Sequence, residues 1–194
     1  MTVTNVLISG VGGQGAILAS ELLALAAIAA GYDVKQGEFH GVAQRGGAVF
    51  SHVRFGDRVY SPMARRGEVD YLLALEKLEA LRYAHFVRPG GTIIVNDHKV
   101  EPIRTADLRP YPEEAVDFLK SKGFKVVALE ATRKAIELGN HRAANVLLLG
   151  ALAGHLDIPG GVWDETLAQR IPKRLLELNQ RAFECGRSVA VEKP

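Results

Sequence analysis

Hydrophobic positions along this chain come in short, dense runs separated by glycine-rich turns and by longer apolar stretches. Residues 3–9, Val-Thr-Asn-Val-Leu-Ile-Ser with the unbroken apolar run Val6-Leu7-Ile8, read as a buried strand. They run into Gly10-Val11-Gly12-Gly13-Gln14-Gly15, and a 15-residue apolar helix is expected at once over residues 16–30. A short strand is predicted at 33–37 and a polar, glycine-rich loop at 38–47. Residues 48–55 alternate and predict a strand, Gly56-Asp57 a tight turn, and 58–60 a returning strand that completes a hairpin. Buried strands are expected at 69–75, 92–96 and 124–129, with a turn at Pro89-Gly90-Gly91. Helices are expected at 76–87, 112–120, 132–138, 143–155, 163–169 and 172–185. Residues 98–112 carry three prolines and predict an irregular connection with at most a short edge strand. The 143–155 run is apolar almost all round, so it is expected inside the protein or against another subunit.

Strands alternating with helices predict an α/β chain: a Rossmann-like three-layer fold with a mostly parallel sheet and an antiparallel edge hairpin. Residues 1–186 are expected to form one domain and 187–194 a frayed C-terminal tail. At 47% hydrophobic and 24% charged over 194 residues, the composition suits a globular domain with a real core. A net charge of +2 gives no basis for broad nucleic-acid binding. No apolar run predicts a membrane span, and the N-terminus lacks the basic start of a secretory signal. A single cysteine, Cys185, rules out an internal disulfide and an iron–sulfur cluster held by this chain's own thiolates. A cytoplasmic location is the expectation.

The strand, glycine turn and helix start form an anion-binding device, with Gly10, Gly12 and Gly15 in the G-x-G-x-x-G spacing. Glu38 could serve a ribose hydroxyl if a dinucleotide sat there, and Gln14 offers an amide. The alternative is that the glycines only permit close strand–helix packing. A second candidate is Gln44-Arg45-Gly46-Gly47, where a guanidinium fork beside two glycines can grip a phosphate or carboxylate. Residues 39–67 hold Arg45, Arg54, Arg58, Arg65 and Arg66 against Asp57 alone. Arg54 and Arg65 are therefore candidate contacts to an anionic ligand or an acidic partner, the alternative being a solvated basic face. Asn140 and Asn145 precede and open an apolar helix, as satisfiers of buried backbone or as interface contacts. The six histidines show no metal-ligand spacing, and no metal site is expected. Nor does any set of residues read as a complete catalytic apparatus, which points to a subunit shaping a site whose reactive group lies elsewhere.

Taken together, G-V-G-G-Q-G at 10–15, Glu38, Q-R-G-G at 44–47, Val53-Arg54, Ser61-Pro62, Asn140, Asn145 and Leu149-Gly150 resemble the gamma-type domain of 2-oxoacid:ferredoxin oxidoreductases, the indolepyruvate type among them. The resemblance spans about residues 3–185. It implies a complex that oxidatively decarboxylates a 2-oxoacid, an aryl pyruvate in the indolepyruvate type, to an acyl-coenzyme A and passes the electrons to ferredoxin. Thiamine diphosphate, Mg2+ and [4Fe-4S] clusters would then lie on a larger partner subunit, with no cofactor bound by this chain alone. It also implies that Gly10, Gly12, Gly13, Gln14, Gly15, Glu38, Gln44, Arg45, Gly46 and Gly47 close the partner's active site, and that Phe39–Val42 lie where the family varies. Two readings stay open beside it: a freestanding NAD(P)-binding oxidoreductase of Rossmann type, and a purely structural subunit.

Overall fold

The computed structural model describes residues 3–40, 46–100 and 110–191. The chain order is β1 (Val3–Val11), α1 (Ala16–Ala29), β2 (Asp33–His40), β3 (Ala48–Gly56), β4 (Val69–Ala74), α2 (Lys77–Tyr83) and β5 (Val87–Asn96). It continues with α3 (Ala115–Ser121), β6 (Lys125–Leu129), α4 (Ala131–Leu138), α5 (Ala144–Ala153), α6 (Gly160–Arg170) and α7 (Lys173–Val191). Single 3-10 turns at Ala84–Phe86 and His141–Ala143 lead into β5 and α5.

Among the described residues the strands form one sheet in the order β2-β3-β1-β4-β5-β6. β1, β4, β5 and β6 are parallel, whereas β3 is antiparallel to both β1 and β2. The hairpin is therefore not the expected one. β3 folds back on β2, which runs on through Glu38 to His40, and its other edge docks on β1. With both edges taken, β3 has none left for residues 58–60, which form no strand. The segment from Val59 to Met63 is held by side chains instead: the Val59 N–H donates to Asp33 Oδ2 (2.8 Å), and Arg54 Nη1 donates to the Ser61 and Met63 carbonyls (3.0 Å each). Pro89 to Gly91, expected as a turn, lie within β5 where its register against β4 shifts. The expected edge strand near 98–112 falls largely outside the described residues. Helix α7 continues to Val191, past the point where fraying was expected.

Val6, Leu7 and Ile8 are fully buried, as central strand residues covered on both faces must be. One face of the sheet packs against α1 and α4–α7, the other against α2 and α3, giving three layers. Helix α5 is buried from Asn145 to Ala153 and lies within the core. Its close neighbour is α7. A Cβ on Gly150 would sit 2.0 Å from the Phe183 carbonyl oxygen, and one on Gly186 would sit 1.8 Å from that of Leu147. These two glycines let the helix backbones meet.

His52 in β3 is fully buried among the rings of Phe39, Phe50 and Phe86, and neither ring nitrogen has a hydrogen-bond partner among the described residues. Burial, helped by the Arg54 charge, lowers its pKa from 6.5 to about 4. The folded state thus resists a proton that the unfolded chain accepts. Stability is complete above about pH 6.5 and falls as the pH drops towards 4, by about 3 kcal/mol from this group. His52→Leu is expected to flatten that part of a urea-denaturation pH profile and to stabilise the protein by about 1–2 kcal/mol at neutral pH. An unchanged acid limb would show that His52 is not its source.

Candidate active-site edge at the glycine turn

Strand β1 delivers the chain to a turn that only glycine makes cheaply, because Gly13 and Gly15 have φ of 102° and 83°. Gln14 folds back over this turn. The Val11 N–H donates to its Oε1 (2.8 Å) and its Nε2 donates to the Leu75 carbonyl (3.2 Å), so one amide ties the ends of β1 and β4. Asn96, buried at the end of β5, donates to the same carbonyl (3.2 Å) and to Thr132 Oγ1 (2.9 Å). Asn145 Nδ2 donates to the Gly15 carbonyl (3.1 Å) while its Oδ1 accepts from the Val146 N–H (2.8 Å). The Gly12 N–H donates to the Gly47 carbonyl (2.8 Å), which joins the two glycine-rich loops at one edge of the sheet. Asn140 accepts from the Arg142 N–H (3.0 Å) and caps the 3-10 turn before α5.

These groups border a cavity of about 510 Å³, lined by Gly13, Gly15, Asn96, Thr132, Arg142 and Asn145 with His98 and His141 on its walls. The cavity lies outside the C-terminal ends of β1, β4 and β5. From β1 the chain leaves towards β2 and β3 on one side, and β4 lies on the other. Open α/β sheets bind ligands at such a reversal. Helix α1 opens here with no side-chain cap and no acid in its first turn, so the positive end of its dipole is unneutralised. Arg142 is exposed and makes no ion pair among the described residues. The chemistry on offer is recognition of an anion by backbone N–H groups, amides and one guanidinium.

Not every candidate from the sequence meets here. Gln44 and Arg45 lie outside the described residues. Glu38 is exposed on edge strand β2, where its Oε1 accepts from Gln36 Nε2 (2.8 Å). A dinucleotide fold pairs its second strand directly with the first. In this sheet β3 intervenes and sets Glu38 about 10 Å from β1, two strand spacings away, so the ribose role is not met. Arg54 stands opposite Asn5, six residues and about 20 Å along β1 from the turn. Its guanidinium is occupied by Asn5 Oδ1 (2.7 Å) and by two loop carbonyls, so it is a brace and not an anion contact. Arg65 lies at that far end too, in the loop before β4, its N–H bound to Glu68 (3.1 Å). The arginine-rich stretch is therefore not one patch.

Glu76 and Tyr111 were not foreseen. Glu76, 1% exposed, caps α2 by accepting from the Glu79 N–H (3.1 Å), and also accepts from the Val100 N–H (3.3 Å) and the Tyr111 hydroxyl. Burial, then the bond to Glu76, pushes the Tyr111 pKa far above its ordinary value. The signal was an acid directly after a buried strand, which read as an ordinary helix start. Asn96 was missed likewise, although a polar residue ending an Ile-Ile-Val run marks the ligand-binding edge of a parallel sheet.

Among the described residues no helix is long and apolar enough to cross a membrane. Comparison with known proteins points one way. The family model for pyruvate ferredoxin/flavodoxin oxidoreductase matches residues 5–189. Indolepyruvate oxidoreductase subunit IorB of Pyrococcus horikoshii is 38% identical over 97% of this chain and 96% of its own. The pyruvate/ketoisovalerate oxidoreductases common subunit gamma of Thermococcus litoralis is 32% identical over 74% of this chain and 73% of its own. The gamma subunit of the keto/oxoacid ferredoxin oxidoreductase of Geobacter sulfurreducens superposes with a TM-score of 0.74 at 27% identity, covering 98% and 99% of the two chains. The chain belongs to the pyruvate ferredoxin/flavodoxin oxidoreductase family.

Proposed function

We propose that this protein is the non-cofactor subunit of an indolepyruvate-type 2-oxoacid:ferredoxin oxidoreductase. The observation that carries this reading is its full-length likeness to the indolepyruvate oxidoreductase subunits. The complex would convert an aryl 2-oxoacid to its acyl-coenzyme A and reduce ferredoxin. A larger partner subunit would hold the thiamine diphosphate with its Mg2+ and the [4Fe-4S] clusters. This chain's ligand set does not fit such a cluster, since one cysteine falls short of the four thiolates required. Nor, among the described residues, do three His, Cys, Asp or Glu side chains come together as a metal group.

The role of the chain is to complete the site. The Gly12–Gly15 turn, braced by Gln14 and Asn145, and the Gly46-Gly47 loop bonded to it present a rigid edge to the partner. Gln44 and Arg45, next to Gly46 in sequence, would share that closing role. The cavity behind it admits coenzyme A, with the α1 N-terminus and Arg142 supplying positive charge for its phosphates. Closing the edge excludes water from the reacting centre on the partner.

Purification of the tagged chain from its native cells under anaerobic conditions tests this reading. The expected eluate contains one larger subunit, with iron and thiamine diphosphate in amounts that follow that subunit. It also reduces viologen with indolepyruvate and coenzyme A. A homo-oligomer that retains nicotinamide nucleotide would overturn the assignment.

A further inference from the structure

A second cavity, of about 370 Å³, adjoins the first and shares Leu18, Arg142 and Asn145 with it. Its walls come from the link between α4 and α5 and from the corner between α6 and α7. The apolar part of the lining is Leu18, Ile171, Leu175 and Leu178, and the charged part is Arg142, Arg170 and Arg174, with no carboxylate among the described lining residues. Arg170 is already committed, since its Nε and Nη2 donate to Glu21 Oε2 at 2.9 and 2.5 Å. Arg142 and Arg174 make no ion pair or side-chain hydrogen bond among the described residues. Two guanidiniums without a carboxylate partner among the described residues line one cavity, and a group with several acceptor oxygens and two negative charges answers them both. A phosphomonoester fits this demand, because each guanidinium fork can engage two of its oxygens. The apolar surface beside them suits a flat ring.

We infer that this cavity is a phosphate subsite, in which Arg142 and Arg174 hold the phosphomonoester of a nucleotide whose remainder reaches past Leu18 and Asn145 into the cavity at the glycine turn. On the functional reading proposed above, on which this part rests, that group is the 3′-phosphate of coenzyme A. The same chemistry could be offered by a free nucleotide bound for regulation.

The test uses the assembled oxidoreductase. KM is measured for coenzyme A and for dephospho-coenzyme A in the wild type and in Arg174→Ala, and adenosine 3′,5′-bisphosphate binding is measured by calorimetry. The expected result is a wild-type KM about tenfold lower for coenzyme A than for the dephospho form, a preference that Arg174→Ala removes. Bisphosphate affinity should fall by a similar factor in the variant. If the wild type does not distinguish the two thiols but loses bisphosphate binding on Arg174→Ala, the subsite stands and serves a free nucleotide. If no rate depends on coenzyme A while that binding loss persists, the functional reading fails and the subsite survives. Equal KM values for the two thiols together with bisphosphate binding that Arg174→Ala leaves intact would overturn the inference. A loss that raises both KM values alike, and spares bisphosphate binding, would overturn it too.

Discussion

Gly186→Ala is expected to lower the melting temperature, against the preference of helices for alanine. Gly186 lies within the long helix α7, where alanine alone would contribute about 1 kcal/mol of stability. The new methyl would stand 1.8 Å from the Leu147 carbonyl oxygen and 2.9 Å from the Ala151 nitrogen, both backbone atoms of α5. Backbone cannot rotate away as a side chain can, so α5 and α7 must separate. That strains contacts of Leu147 and Phe183, both essentially fully buried. Overpacking of this kind costs about 3 kcal/mol or more, so the net loss is at least about 2 kcal/mol. For a chain of this size that is a fall of at least roughly 4–8 °C, read by calorimetry. A raised melting temperature would mean that the helices are not in backbone contact.

Much of the fold could be read from local pattern. The run Val6-Leu7-Ile8, the glycines at 10–15 and the apolar helix behind them specify β1, the turn and α1 through short-range physics, and the structure follows that reading. What was misread depends on partners distant in sequence. Residues 58–60 carry a plausible strand signal, but nothing local reveals that β3 spends both its edges on β1 and β2. The same insertion moves Glu38 away from the turn, and β3 itself carries Arg54 about 20 Å from the glycine loops although the two are close in sequence. The site shows the same divide. The glycine turn is legible because positive φ and close approach demand a residue type. Glu76, Asn96 and Thr132 are not, because their role comes from three strand and helix ends meeting at one sheet edge.

Gly15→Ala is expected to cripple the assembled enzyme while leaving it assembled. Two costs fall at this position. At φ 83° a Cβ is strained by about 1–2 kcal/mol. That Cβ would also stand 2.3 Å from Asn145 Nδ2, the amide that donates to the Gly15 carbonyl and helps to wall the cavity. The Asn145 side chain must move, which opens the polar brace of the turn without touching the core. Gly31→Ala supplies the control. Gly31 has φ 90°, so its strain is similar, but a Cβ there meets nothing within 4 Å, and it lies beyond the far end of α1, about 20 Å from the turn.

The decisive measurement is anaerobic reduction of viologen by indolepyruvate, titrated with coenzyme A, for complexes carrying the wild type, Gly15→Ala and Gly31→Ala. A loss of tenfold or more in kcat/KM for coenzyme A in Gly15→Ala, with partner content unchanged and Gly31→Ala behaving as wild type, is the result predicted for a turn that forms part of the shared active site. Wild-type kinetics in a folded, assembled Gly15→Ala complex would contradict that role.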